Sequence, residues 1–190
     1  YEKLEELINT VAKPGMRAVE VGCFAGSSAF RVLPAVKDNG GTMFLVDWFQ
    51  GSVGTVIGGH LTTDDYPTAT VVEVLLDNLK EGEFDQMAVI MAAQSAVAVK
   101  AFADNSLDYV MIAADHRYGP VKADMEAWWP KVKTGGVLCG HPLDERIDPG
   151  DAEAWRVVLD NCDVDYIRER HYGVIRAVTE LFPDYKDGGD

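Results

Sequence analysis

The feature that most constrains this chain is a change of period repeated five times within its first 140 residues. Short, almost wholly apolar runs alternate with segments whose apolar residues recur at helical spacing. The runs are RAVEVG (17–22), GGTMFLVDW (40–48), QMAVIMA (86–92), LDYVMIA (107–113) and GGVLCG (135–140). Between them, Leu4, Leu7, Ile8 and Val11 mark one helix, closed by Pro14-Gly15. SSAFRVLPAVK (27–37) marks a second, which Pro34 is expected to bend or shorten. Val71, Val74, Leu75 and Leu79 mark a third, and SAVAVKAFA (95–103) a short fourth. Val121, Met125, Trp128 and Val132 predict one face of a fifth, with Pro130 near its end. Strands without a polar face must be covered on both sides. The pattern therefore predicts an α/β chain with a Rossmann-like, doubly wound, mostly parallel sheet between helices.

Residues 51–70, rich in Gly, Thr, Asp and Pro, read as a loop or lid. Beyond Asp144 the pattern weakens: helices are expected around 151–160 and 173–182, with a strand in VDYIRERH (164–171). With 190 residues, 47% of them apolar, the chain is expected to form one domain, 1–190. Its parts would be a helix in 1–16, the lid, and a variable section over 143–190. A formal net charge of −14 argues against nucleic acid, whose binding needs basic patches, and against an anionic membrane surface. Cys23, Cys139 and Cys162 make no CxxC pair and cannot all pair with each other, which suits a reducing, cytoplasmic setting. No apolar stretch is long enough to span a bilayer.

Ligands of open α/β sheets bind beyond the carboxyl ends of the strands. Here those ends read EVGCFAGSS, LVDW, AAQS, IAADH and LCGHP. Gly22 and Gly26 have GxxxG spacing, so the backbone can turn tightly and admit a ligand. The dinucleotide pattern needs a second glycine where Phe24 stands, which disfavours a nicotinamide-dependent oxidoreductase. Asp47 ends the second strand, where a carboxylate can accept both ribose hydroxyls, and Trp48 offers a flat face to a purine. Ser28, at a helix start, suits a carboxylate ligand.

AVEVGCFAGSSAF, FLVDWF and LDYVMIAADHRYGPVKADMEAWWPKVKTGGVLCGHPL together resemble class I S-adenosylmethionine-dependent methyltransferases. The branch they resemble is that of small O-methyltransferases related to catechol, macrocin and cephalosporin-pathway enzymes, over about residues 17–142. The resemblance implies that Glu20, Gly22, Phe24, Gly26 and Ser28 line the methionine end of S-adenosylmethionine. Asp47 would bind the ribose, and Trp48, Ser95 and Ala96 would border the adenine, with S-adenosylhomocysteine as product. It also implies a seven-stranded sheet with an antiparallel final hairpin, which the residues after Tyr172 do not announce.

One departure matters. The branch usually ends its fourth strand Ile-Asp-Gly/Ala-Asp-His and follows its fifth with Gly-His-Asp, and two of those aspartates lie where a divalent metal is held. Here they are Ala113 and Pro142. Three readings of Asp115, His116 and His141 stay open. They could form a metal-free acid/base site, a metal site rebuilt on imidazole nitrogen, or a helix cap with polar pocket corners. The expected function is methyl transfer to a hydroxyl of a small molecule without the usual Mg²⁺ and with no metal ligands. The alternative is a protein that binds the cofactor without transferring the methyl group. A homodimer is compatible with either. Trp128-Trp129 read as core and helix surface, Cys23 and Cys139 as small buried residues, and His60 and His171 as exposed. His60 and Tyr66 are the substrate contacts a lid would offer.

Overall fold

In the computed structural model, which describes residues 2–50, 68–140, 147–167 and 170–184, all five apolar runs contain strands. They are β1 (Arg17–Val21), β2 (Thr42–Asp47), β3 (Ala88–Ala92), β4 (Leu107–Ile112) and β5 (Val132–Gly140). The sheet order is β3-β2-β1-β4-β5, and every pair is parallel. The chain winds outward through β2 and β3, then returns to the other side of β1 for β4 and β5. That reversal sets a switch point between the carboxyl ends of β1 and β4. The helices are α1 (Glu2–Thr10), α2 (Ala29–Asp38), α3 (Thr68–Glu81), α4 (Ser95–Ala98), α5 (Tyr118–Trp128), α6 (Ala152–Asn161) and α7 (Tyr172–Leu181).

The described residues belong to two compact units, Tyr1–Ala114 with Ala127–Gly140, and Asp115–Glu126 with His141–Asp190. The first holds the sheet. Its core joins Ile8 of α1, Val32 and Leu33 of α2, Leu45 of β2, Leu75 and Leu79 of α3, and Tyr109 and Met111 of β4. Phe102 meets Phe44 edge-on at 5.0 Å and the ring of Trp128 at 5.3 Å. Trp128 is fully buried while Trp129 is exposed, as the sequence suggested. Near the amino ends of the strands lies buried Asp108. It accepts from the Arg17 N–H (2.9 Å) and from Lys133 Nζ (2.9 Å) and pairs with Lys13 (2.6 Å).

The second unit has its own small core of Ile147, Val158, Cys162, Tyr172 and Ile175. Asp151 caps α6 by accepting from the N–H groups of Glu153 and Ala154. Gly173 lets α7 approach the 116–118 segment. A Cβ there would run into the backbone of His116 and Tyr118 and come within 2.7 Å of the Cys162 carbonyl oxygen.

Several expectations change. Pro34 lies inside α2 without ending it. Thr68–Thr70, expected in the loop, already belong to α3, while residues 51–67, including His60 and Tyr66, lie outside the described residues. Val132 opens β5 rather than closing a helix face. Pro130 lacks the N–H to continue α5, and Trp129–Lys131 form a 3₁₀ turn instead. In 164–171 the described residues form a single antiparallel bridge, Ile167 to Arg170, not a strand. Among the described residues the sheet has five strands, and 172–181, where the end of a hairpin would fall, is helical.

Candidate functional site

The turn between β1 and α2 carries the densest set of constraints in the sheet unit. Gly22 has φ +87°, and a Cβ on it would come within 2.6 Å of the Ala113 carbonyl oxygen. The turn is thus seated on the end of β4, and only glycine fits. Gly26 (φ +90°) is closed in by Phe30, 2.6 Å from where its Cβ would be. Phe24, between them, is held at φ +44°, a left-handed conformation uncommon for a bulky side chain.

Asp47, at the end of β2, stabilises this backbone. Its Oδ2 accepts from the Phe24 N–H (2.9 Å) and its Oδ1 from the Phe49 N–H (2.7 Å), where φ is +55°. A carboxylate has about four lone-pair positions, so both oxygens keep capacity for hydroxyl donors. The Ala93 N–H reaches the Asp47 carbonyl oxygen at 3.0 Å, which brings the end of β3 alongside. Ser95, two residues on, accepts from Trp128 Nε1 at 2.8 Å, and Ala96 is exposed. Trp48 is half-buried.

Glu20 is the unusual group. It lies in β1 with no exposed surface, and its Oε1 accepts from the Ser28 hydroxyl. Its Oε2 is buried and accepts no hydrogen bond among the described residues. Burial pushes its carboxyl up to about 8; Ser28 opposes the shift and the charge of Asp47 adds to it. Ser28 occupies the N-cap of α2 yet makes no side-chain cap bond, because its hydroxyl is turned to Glu20. An incomplete buried carboxylate beside a glycine turn fits a cationic ligand group. Cys139 and Cys23 are unsuited to nucleophilic work, since burial pushes the Cys139 thiol up to about 12 and that of Cys23 still higher.

In the second unit, Asp115 is tied to Arg117. It accepts from the Arg117 N–H and from Nε, each at 3.0 Å, and pairs with the guanidinium end. His116 is held differently. Asp165 Oδ1 lies 2.9 Å from the His116 backbone N and 3.0 Å from its ring Nδ1. Burial pushes the Asp165 carboxyl upward, but the bonds from His116 and the nearby His171 bring it below the usual carboxylate range. The His171 ring packs on His116 at 4.5 Å between centroids and on Tyr166 at 4.9 Å, so His171 is part of a cluster rather than exposed. His141 lies outside the described residues. Asp165 is the residue that sequence reasoning passed over. It sits 49 positions from His116 in a stretch without periodicity, and no local signal marks it.

Ala113, where the branch carries a metal-binding aspartate, offers no ligand. Among the described residues no group of three His, Cys, Asp or Glu side chains could hold a metal ion.

Comparison with known proteins decides the family. A family profile described as a methyltransferase domain matches residues 19–142. The chain belongs to the S-adenosylmethionine-dependent methyltransferases. A Corynebacterium glutamicum protein has the same fold, with a TM-score of 0.62 at 15% identity over 97% of this chain and 72% of that one. The O-methyltransferase NovP aligns with a TM-score of 0.56 at 18% identity, covering 84% of this chain and 71% of NovP. The ribosomal RNA large subunit methyltransferase E of Parvibaculum lavamentivorans is 35% identical over 88 residues, 46% of this chain. That match spans only 32% of the relative's length. No helix among the described residues of this methyltransferase is long and apolar enough to cross a membrane.

Proposed function

We propose that this methyltransferase transfers the methyl group of S-adenosylmethionine to a hydroxyl of a small molecule without a divalent cation. The observation that carries the reading is the buried, incomplete carboxylate of Glu20 beneath the Gly22–Gly26 turn. An ammonium group placed against Oε2 supplies both the missing hydrogen bond and the missing charge. Ser28 orients Glu20 for it, and the positive end of the α2 dipole favours the ligand's carboxylate. Asp47 accepts the ribose hydroxyls with its remaining lone pairs, while Trp48, Ser95 and Ala96 border the adenine, with Phe24 beside the methionine end. When bound, the cofactor supplies a methyl group on a sulfonium that an acceptor oxygen displaces in line.

That reaction chiefly needs positioning, so the missing metal ligands at Ala113 and Pro142 do not forbid it. We assign His116 the role of accepting the hydroxyl proton. His141 belongs to the same proposal. Asp115, paired with Arg117, belongs to it as well. A small acceptor is favoured over ribosomal RNA by the net charge of −14, which repels a phosphate backbone. The same charge and unpaired thiols support a cytoplasmic setting.

The test is calorimetry with S-adenosylhomocysteine, with and without Mg²⁺, followed by labelled cofactor with a panel of phenols and sugars. Binding unchanged by Mg²⁺, and methylated product formed without it, are expected. Mg²⁺-dependent turnover refutes the metal-free reading, and binding without any product points to a cofactor-binding protein. Asp47→Ala should lower the affinity at least tenfold, since it removes the ribose acceptor and the support of Phe24 and Phe49 together.

A further inference from the structure

We infer that β3 is an interface: two copies of this chain pair their β3 strands antiparallel about a two-fold axis at Ile90. The strand stands at one end of the sheet order, and among the described residues it pairs only with β2. In a parallel ladder alternate residues turn their backbone groups to the neighbour. Met87 accepts from the Met43 N–H (3.0 Å) and Ala93 donates to the Asp47 carbonyl oxygen (3.0 Å), so the odd-numbered residues face β2. Ala88, Ile90 and Ala92 therefore turn theirs outward. The Ala88 N–H is already given to the Phe84 carbonyl oxygen (3.1 Å). Outward donors remain on Ile90 and Ala92, with outward carbonyls on Ala88, Ile90 and Ala92. A two-fold axis at Ile90 matches these groups to themselves. Each Ile90 N–H meets the Ile90 carbonyl of the other copy, and each Ala92 N–H meets its Ala88 carbonyl. The Ala92 carbonyl, on an exposed residue, is left to water.

Side chains and charge single out a second copy as the occupant. Ala88 and Ile90 pack on the main core, so Val89 and Met91 lie on the opposite face of the strand. Val89 is 43% exposed, in a strand without a polar residue. Antiparallel pairing at Ile90 sets each Val89 directly opposite Met91 of the other copy, which shields it. The chain carries a net charge of −14, so two copies repel wherever acidic surfaces meet. Residues 86–99, which hold β3 and the exposed Val97, carry no charged side chain. β3 also lacks the features that keep sheet edges apart: it has no lysine, no proline and an unbroken register with β2. At the other end of the described sheet, β5 carries Lys133 and its register with β4 shifts between Leu107 and Tyr109. Asp47 stands in register with Ala92, so the pairing sets the Asp47 residues of the two copies at opposite ends of the seam.

Sedimentation velocity of the full chain over a concentration series tests this. A reversible dimer is expected. Val89→Lys and Met91→Glu, each alone, should weaken it about tenfold, since each altered cross-strand pair occurs twice. Mixing the two variants should restore association, because in this register the lysine of one chain faces the glutamate of the other. Thermal melting and S-adenosylhomocysteine affinity of Val89→Lys should match the parent, which separates a lost seam from a lost fold. Amide hydrogen exchange needs no variant: Ile90 and Ala92 should be protected in concentrated samples and exchange faster in dilute ones.

A parent chain that stays monomeric across the series overturns the pairing, as does exchange at Ile90 and Ala92 that ignores concentration. A dimer that both variants leave intact also overturns it, since the copies then meet elsewhere. A mixture no more associated than either variant alone rules out the register at Ile90.

Discussion

Glu20 and Asp108 are both buried without exposed surface, in the adjacent strands β1 and β4, yet they are handled in opposite ways. Asp108, near the amino ends of the strands, has two lysines and a backbone N–H around it. Burial alone would raise its carboxyl, but those partners hold it below the usual range. Glu20, near the carboxyl ends, has among the described residues one hydroxyl partner and one bare oxygen, and its carboxyl rises to about 8. A buried charge serving structure is completed by the fold itself. One left incomplete at the ligand-binding end of a sheet is completed by something else.

The largest effect should come from the completed site. Asp108→Ala removes the shared partner of Lys13, Lys133 and the Arg17 N–H, so chemical denaturation should show a loss of about 1–3 kcal/mol. The pH dependence follows from the depressed carboxyl. The stability that Asp108 contributes is complete above the unfolded aspartate range and is lost as pH falls through its lower folded value. A loss below about 1 kcal/mol, typical of a solvated pair, would erase the contrast between the two carboxylates.

Glu20→Gln should separate stability from binding. The folded pKa of Glu20 is raised, so the ligand-free chain is most stable below the unfolded glutamate range and loses stability as pH rises toward and through about 8. Glutamine cannot ionise, and the variant should keep its stability over that window. Its affinity for S-adenosylhomocysteine should fall at least tenfold, in keeping with about 1.5–3 kcal/mol for a hydrogen bond to a charged group. In the parent, binding should strengthen as pH rises toward about 8, and in the variant it should be flat. Equal affinities at all pH values would show that Glu20 does not meet the ammonium group.

The same two residues show what sequence can and cannot carry. The sheet was legible because apolar runs of strand length alternate with helical spacing, and Gly22, Gly26 and Asp47 were legible because strand–turn–helix junctions demand particular residue types at fixed intervals. That Asp47 would also hold the Phe24 amide was not, since it depends on how two loops meet. Val132 was misplaced because apolar spacing continued across Pro130, and the backbone restriction at proline outweighed the periodicity. Asp165 and its bond to His116 were illegible for a different reason: a contact between distant segments leaves no periodic trace in either.

The smallest effect is the most diagnostic of how Glu20 is tuned. Ser28→Ala deletes the Ser28 hydrogen bond to Glu20 and should push its carboxyl above about 8, since that bond lowers it. Affinity for S-adenosylhomocysteine near neutral pH should drop by about 0.5–1.5 kcal/mol, and the pH at which binding strengthens should move upward. An ordinary N-cap serine would also cost helix stability when removed. Ser28 makes no cap bond, so the melting of α2 should be unaffected. If the hydroxyl acts through Glu20, adding Ser28→Ala to Glu20→Gln should weaken binding no further, because no carboxylate remains to be tuned. Additive losses in that double variant would mean that Ser28 touches the cofactor directly and that Glu20 is set by burial alone.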